Sequence, residues 1–327
     1  MRPLPTLRQL RYLVALAEHH HFARAAEDCR VTQSTLSAGI RELEEVLGVV
    51  LIDRSRRQMS FSPAGDAIIG RARALLAAAE ELVEAAQAGG EPLTGLLRLG
   101  VIPTIAPYLL PRALPAVRTA YPNLRLYLRE EQTARVLDLL GRGRIDAGLI
   151  ALPYATGDLR TLVLGKDPLR IACPVGHPFA TADHVSEQEL TQQQLLLLED
   201  GHCLREHALT SCHLLPGQAN EDFQATSLST LVQMVASGLG LTLVPDLAVE
   251  VEVQREPGVV VVPFANNRAS RLIALVWPAG SMRGHDLHLL GDILKKFVPC
   301  PEGRSAAAGE MPDGSECQPS TSPAGSG

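Results

Sequence analysis

The sequence has no apolar run long enough to cross a membrane. Its longest runs, such as residues 12–17 and 272–277, are far shorter than the ~20 residues that a transmembrane helix needs. Residues 1–11 also lack the apolar segment of a secretory signal. We therefore expect a cytoplasmic protein with no membrane partner.

Cysteine is scarce, with six residues in a chain of 327. In a reducing compartment thiols are more often apolar core residues, metal ligands or redox centres than structural disulfides. We interpret Cys29 and Cys173 as core residues. Cys300 and Cys317 border or lie in residues 301–327, a Pro-, Gly-, Ser- and Ala-rich segment that is predicted to be disordered. Neither is expected to carry the main chemistry.

Lysine is rarer still, with only Lys166, Lys295 and Lys296, so the positive charge rests almost entirely on arginine. Arginine suits bidentate contacts to phosphate. The net charge is −6, yet the first 60 residues contain nine Arg against seven Asp and Glu. The acidic total therefore does not exclude a nucleic-acid partner for the N-terminal part.

Three short helices are predicted in the N-terminal part. Apolar residues recur at helical spacing from Leu7 to Ala17, and a second helix covers residues 22–29. The third has Thr32 as its N-cap and Gly48 just past its end. Because only residues 30–32 separate the second and third helices, the pattern predicts a helix-turn-helix.

The outward face of the third helix carries small polar side chains and one arginine, which suit base edges and phosphates in a major groove. An Arg-rich loop, residues 53–57, follows between two short predicted strands and is typical of a wing. A helical bundle with a solvated basic loop is the alternative. The coincidence of turn, polar face and wing favours a mainly α winged helix-turn-helix over residues 1–62. Its predicted DNA contacts are Gln33, Ser34, Thr35, Ser37, Arg41 and Arg54.

A long helix is predicted over residues 63–90, beginning at Ser62-Pro63 and ending at the glycine pair 89–90. Its apolar seam has heptad spacing and consists of Ile68, Ala72, Leu75, Ala79, Leu82 and Ala86. Such a seam needs a partner, and the simplest one is the same helix of a second subunit. The alternative is that it packs on its own C-terminal domain.

From residue 91 predicted strands alternate with helices, which is typical of an α/β domain. We predict a mainly parallel, helix-covered sheet in two lobes with a cleft between them, over residues 91–300. Predicted strands cover residues 96–102, 124–128, 147–151, 169–172, 195–198, 241–244, 259–262 and 272–276, and predicted helices cover residues 108–121, 133–141 and 286–297.

The chain resembles the LysR-type transcriptional regulators over residues 7–299. The resemblance rests on residues 22–26 (FARAA), 33–37 (QSTLS), 40–44 (IRELE) and 61–65 (FSPAG). It implies a periplasmic-binding-protein-like effector domain, a dimer or tetramer, and double-stranded promoter DNA and RNA polymerase as partners. We predict no cofactor and no metal. Ser34 departs from the family pattern, which often has proline there.

Within that family, the similarity is to the regulators that sense hydrogen peroxide. It rests on residues 198–205 (LEDGHCLR) with Cys212, and on residues 102–104 (IPT) and 107–111 (PYLLP). The resemblance implies that peroxide oxidises Cys203, that Cys212 then forms a disulfide with it, and that antioxidant genes are controlled. It places Thr104, Thr133 and Arg271 around the peroxide, in a pocket that also includes His202 and Arg205. Glu206 and Asp222 differ from the residues that such sensors commonly have.

The residues beside Cys203 fit a reactive thiol on physical grounds. His202 and Arg205 flank it, and Gly201 indicates that Cys203 begins a short helix, so that cations and the helix dipole lower the thiol pKa. The thiolate is the form that peroxide attacks. A helix over residues 203–212 would hold the two cysteine Cα atoms ~13 Å apart, whereas a disulfide needs them within about 7 Å. Oxidation would then have to unwind the helix.

Other functions stay open at this point. Cys203, His207, Cys212 and His213 could bind a metal such as zinc. A LysR-type regulator that binds a small metabolite between the lobes would leave the thiols incidental. The threonines near helix starts could be simple caps. A thiol peroxidase would share the cysteine chemistry, but it has no need of a helix-turn-helix, so we predict a regulator and not an enzyme.

Overall fold

A computed structural model of the chain describes residues 3–53, 59–87, 91–211, 219–265 and 269–299. These residues enclose two separate hydrophobic cores, one built from residues 10–72 and the other from residues 93–298. Arg54, Cys212 and His213, together with the tail that is predicted to be disordered, lie outside the described residues.

The N-terminal core is formed by α1 (Leu7–His19), α2 (Phe22–Asp28) and α3 (Gln33–Leu47). As predicted, Thr32 caps α3, because its hydroxyl accepts a hydrogen bond from the Thr35 N–H at 3.2 Å. The helix ends at Gly48, whose φ of +69° lies in the left-handed region that favours glycine. The helix-turn-helix is therefore present at the predicted positions.

A carboxylate of α3 forms hydrogen bonds with the start of the wing. Its strands, β1 (Ile52–Asp53) and β2 (Ser60–Phe61), pair antiparallel and are shorter than predicted. Glu44 Oε1 accepts hydrogen bonds from the backbone N–H groups of Leu51 and Ile52 at 2.8 and 3.2 Å. The start of the wing therefore has a fixed position relative to the recognition helix.

The predicted long helix is α4 (Pro63–Gln87). Its first turn is capped by Ser62, whose hydroxyl accepts from the Gly65 N–H at 3.0 Å. The first half of α4 packs on α1 and buries Ile69 and Ala72 in the N-terminal core. Further along, three large apolar side chains are more than half exposed, namely Leu75, Leu82 and Val83. Within the part of the chain that the structure describes, the helix therefore carries an apolar face that stays exposed.

Gly65 lies where the wing passes closest to α4. An added Cβ would stand 2.3 Å from the backbone oxygen of Leu51, so Gly65→Ala is expected to lower the free energy of unfolding by about 2 kcal/mol. Gly70 provides a matched control on the same helix, because the nearest atom to its Cβ would be 3.9 Å away. Gly70→Ala is expected to stabilise the helix by roughly 0.5–1 kcal/mol. Equal urea unfolding curves for the two variants would contradict this close approach.

The second core contains a seven-stranded mixed sheet in two lobes, with β7 and β8 paired separately. The strands are β3 (Gly95–Val101), β4 (Leu124–Glu130), β5 (Ala147–Leu152), β6 (Leu159–Pro174), β7 (Leu195–Leu198), β8 (Ala219–Ala225), β9 (Thr242–Pro245), β10 (Val259–Pro263) and β11 (Ser270–Pro278). The helices are α5 (Ala106–Ala120), α6 (Thr133–Gly141), α7 (Glu187–Leu190), α8 (Cys203–Ser211), α9 (Leu228–Ala236), α10 (Asp246–Glu252) and α11 (Gly284–Lys295), with a 3₁₀ turn at Pro178–Thr181.

The prediction of a mainly parallel sheet is wrong. β3 pairs parallel with β4 and β5, but β6 and β11 pair antiparallel with each of their neighbours. The reason is the length of β6, which pairs with β11 over its first part and with β9 and β10 over its second. One strand thus belongs to both lobes, and its pairs with neighbouring strands are antiparallel. The sequence predicted only the end of this strand, and it missed β8, α7, α9 and α10.

Candidate functional site

Cys203 is the first residue of α8, and its side chain is buried. The turn from β7 into α8 passes through Gly201, whose φ of +96° favours glycine. An added Cβ at Gly201 would stand 2.5 Å from Oε1 of Gln132, the residue that precedes α6. The positive φ is the reason that a glycine is required here, and α8 begins where the sequence predicted.

Two of the predicted site residues on other elements, Thr133 and Arg271, act on this thiol, and a third, Thr104, is bound to Arg271. Thr133 is the first residue of α6, Thr104 precedes α5, and Arg271 lies on β11. Arg271 donates from Nη1 to Thr104 Oγ1 at 2.6 Å and from Nη2 to the Thr104 carbonyl at 2.8 Å. Neither threonine is the N-cap of its helix, since those positions belong to Ile105 and Gln132. The interpretation of these threonines as simple caps is therefore wrong.

Asp167 fixes Arg271 in place, and the sequence analysis missed it. Both side chains are fully buried, with Arg271 Nε 3.0 Å from Asp167 Oδ2. Asp167 Oδ1 also accepts the N–H of Leu247 at 3.0 Å. Burial raises the pKa of Asp167, and the Arg271 charge opposes that rise. Asp167 lies in a strand that also contains Lys166 and Arg170, so its sequence context does not reveal that this carboxylate is buried.

The thiol of Cys203 does not have the lowered pKa that the sequence predicted. Burial raises its pKa, and this effect outweighs the Arg271 charge, the Thr133 hydroxyl and the Cys203 N–H, which all lower it. Glu206 adds a smaller rise. The Thr133 hydroxyl is buried with no nitrogen or oxygen partner among the described residues. The Cys203 thiol is therefore the group with which it can form a hydrogen bond. Ionising this thiol therefore depends on Arg271 and Thr133.

His202 and Arg205 were expected to supply positive charge to the thiol, and this expectation is wrong. The Nε2 atom of His202 lies 3.8 Å from Glu199 Oε1, and burial lowers the pKa of His202, which favours the neutral ring. Arg205 binds Asp200 Oδ1 at 3.0 Å and the Leu198 carbonyl at 3.2 Å. These side chains hold the turn before α8, and Arg271 is the cation that acts on the thiol.

The other cysteines divide as follows. Cys173 is buried in β6, as predicted, whereas Cys29 is only half-buried at the end of α2. Burial raises the pKa of both thiols. Cys212 lies outside the described residues, so the predicted pairing of Cys203 with Cys212 stays a prediction.

The predicted DNA-binding face is open to solvent. Gln33, Ser34 and Thr35 are exposed in the first turn of α3, and Arg41 donates to the Ser37 hydroxyl at 3.3 Å. The hydroxyls of Ser34 and Thr35 lie 2.9 and 2.7 Å from that of Thr32. A polar cluster with one arginine therefore covers the exposed side of the helix, as direct contact with base edges requires.

The described residues form neither a metal site nor a membrane-spanning helix. Within the described ranges, no three His, Cys, Asp or Glu side chains are grouped as a metal site would need. In the same ranges no helix combines the length and the apolar character that crossing a bilayer demands.

The sequence and the fold both match known regulators. Residues 7–66 match the bacterial regulatory helix-turn-helix proteins of the lysR family, and residues 90–298 match the LysR substrate binding domain. A hydrogen peroxide-inducible genes activator of Dickeya chrysanthemi is 43% identical over 279 residues, which are 85% of this chain and 91% of that protein. The DNA-binding transcriptional dual regulator OxyR of Escherichia coli K12 is 42% identical over 275 residues, 84% and 90% of the two chains.

The fold is also similar to those of solved structures. A full-length variant of OxyR from Pseudomonas aeruginosa is 36% identical, with a TM-score of 0.74 over 89% of this chain and 98% of that one. The full-length OxyR structure therefore matches this chain over both the N-terminal helix-turn-helix domain and the C-terminal domain. The chain belongs to the LysR family and is a DNA-binding transcriptional regulator similar to OxyR.

Proposed function

We propose that this regulator senses hydrogen peroxide through oxidation of Cys203, which then forms a disulfide with Cys212. The observation that carries the proposal is the Cys203 thiol at the start of α8, beside the unpartnered Thr133 hydroxyl and the Arg271 guanidinium. The printed names of the relatives, which refer to peroxide-inducible genes, support hydrogen peroxide as the signal.

The geometry suits the charge movement of this reaction. The sulfur attacks one peroxide oxygen, the O–O bond breaks, and the products are a sulfenic acid and water. Negative charge passes from the sulfur to the departing oxygen. Arg271 is a fixed cation for that charge, because Asp167 and Thr104 already hold its guanidinium. A charge held in advance stabilises the transition state without reorganisation.

Disulfide formation requires α8 to unwind. Along the nine residues of α8 the Cα atoms of Cys203 and Ser211 stand about 12 Å apart. The Cα of Cys212 is about 3.8 Å from that of Ser211 in any trans conformation. While α8 persists, the two cysteine Cα atoms therefore stay more than about 8 Å apart, and a disulfide needs less than about 7 Å.

Unwinding α8 supplies the conformational signal. The helix packs on β7 and β11, and β11 lies in the sheet that joins the lobes. Loss of this packing would shift the lobes and reorient subunits. The exposed apolar face of α4 supports a dimer. We further propose assembly into a tetramer, contact with RNA polymerase, control of antioxidant genes and a cytoplasmic location.

Mass spectrometry tests the sensor chemistry. The reduced protein is treated with about one equivalent of hydrogen peroxide, and free thiols are trapped at intervals. We expect rapid loss of two hydrogens, mapped to a peptide pair that contains Cys203 and Cys212, because Arg271 and Thr133 favour ionisation of Cys203. Cys212→Ser should instead accumulate a sulfenic acid at Cys203.

Cys173→Ser is the matched control. It removes another buried thiol of the same two-lobed domain and should leave the reaction unchanged. If Cys203 stayed reduced while zinc bound stoichiometrically, the peroxide proposal would fall and a metal-responsive regulator would replace it.

A further inference from the structure

His207 is a buried histidine that the reaction described above does not use. It lies on α8, its side chain is 4% exposed, and its Nε2 atom is 3.0 Å from the carbonyl oxygen of Pro153. Its Nδ1 atom is buried and has no hydrogen-bond partner among the described residues. An unpartnered ring nitrogen in a protein interior lowers the free energy of unfolding. Its presence here points to a functional role.

The contact with Pro153 fixes the tautomer of this ring. A carbonyl oxygen can only accept, so Nε2 carries the proton, and Nδ1 of the neutral ring is left with a free lone pair. Burial and the Arg271 charge lower the pKa of His207, while the Pro153 carbonyl and Glu206 raise it less. The ring is therefore neutral near pH 7 and presents a proton acceptor inside the protein.

The position of His207 places this acceptor on the same face of α8 as the reactive thiol. Cys203 and His207 are four residues apart on α8, where Cβ atoms lie about 5–6 Å from each other. Side chains of a helix lean towards its N-terminus, so the side chain of His207 leans over the turn that Cys203 begins. The Arg271 charge acts on both side chains. Both groups are thus buried on one face of the helix in front of the same cation.

We propose that His207 Nδ1 accepts the proton of the Cys203 thiol during peroxide attack and returns it to the departing oxygen. The inference rests on the proposed function. As the S–H bond breaks and the proton passes to Nδ1, the sulfur bonds to one peroxide oxygen and the O–O bond breaks. The departing hydroxide takes the proton from Nδ1 and becomes water. The sulfur loses two electrons, the peroxide gains them, and the ring ends neutral.

This path avoids the cost of an isolated buried charge. Three titratable or charged groups surround the pair: Arg271 on β11, Glu206 on α8, and Tyr154 after β5. Burial raises the pKa of the Cys203 thiol and lowers that of His207. Both effects disfavour charge on either group before peroxide arrives, and a proton that moves within the site brings in no net charge.

The substitution His207→Gln distinguishes the role of Nε2 from that of Nδ1. The glutamine amide can keep a donor near the Nε2 position and bond to Pro153, but it offers no base in place of Nδ1. We expect H207Q to slow oxidation of Cys203 at pH 7 by about 100-fold. The wild-type rate should stay nearly constant across neutral pH. The H207Q rate should rise about tenfold per pH unit, because only the pre-formed thiolate can react.

The rate of thiol loss at Cys203 is measured by trapping and mass spectrometry on the full chain. His184→Gln is the control, since it makes the same substitution at an exposed histidine outside α8 and the turn before it, and it should keep the wild-type pH profile. Equal rates and equal slopes for H207Q and the wild type would overturn the proposal. If H207Q did not fold, a wild-type rate that rises tenfold per pH unit would overturn it instead. Failure of wild-type Cys203 to react at all would contradict the proposed function itself.

Discussion

Replacing Arg271 with glutamine is expected to destabilise the protein by about 3–5 kcal/mol, because it leaves Asp167 as an unpaired charge in the interior. It also removes the cation that acts on Cys203, so oxidation of Cys203 by peroxide should slow at least about tenfold. Urea unfolding measures the first effect, and the rate of thiol loss at Cys203 in the folded protein measures the second.

A second substitution separates the two effects. In the double variant Asp167→Asn with Arg271→Gln, no unpaired charge is left, so most of the lost stability should return. The rate of oxidation should stay low, because the double variant still lacks the guanidinium. A double variant that reacted at the wild-type rate would show that Arg271 has only a structural role.

The N-terminal part could be predicted from the sequence because its signals are local. Thr32 and Gly48 define the ends of α3 through interactions within a few residues, and the short loop before α3 fixes the angle between helices. The start of α4 at Ser62-Pro63 is equally local. Where a boundary depends on capping and spacing alone, sequence reasoning places it within one or two residues.

The sheet could not be predicted in the same way because its pairing depends on distant segments. The local pattern predicts only residues 169–172 of β6, and its pairing with β11 and then with β9 and β10 shows it to be one long strand. The partnership of Asp167 with Arg271 spans 104 residues. Likewise, the thiol pKa follows from burial by the whole fold, which the flanking residues His202 and Arg205 do not reveal.

Replacing Leu75 and Leu82 together by aspartate is expected to give a monomer with about 100-fold weaker affinity for promoter DNA. Both side chains are more than half exposed on α4 and lie on one heptad seam, so their apolar surface is available to a second copy of the helix. A dimer binds both half-sites of its DNA at once, and a monomer loses the gain in effective concentration. Light scattering measures the mass, and fluorescence anisotropy at fixed salt measures the affinity, on DNA selected by the wild-type protein from a random pool.

Ala67→Asp with Ala74→Asp is the matched control for this pair. Both alanines are exposed on α4, both lie off the seam, and the two aspartates add the same charge to the same helix. The control should remain a dimer and bind DNA nearly as the wild type does. A Leu75→Asp and Leu82→Asp protein that stayed dimeric would show that subunits associate elsewhere. If both pairs of substitutions weakened DNA binding equally, negative charge on α4 would be the cause, and the seam would have no special role.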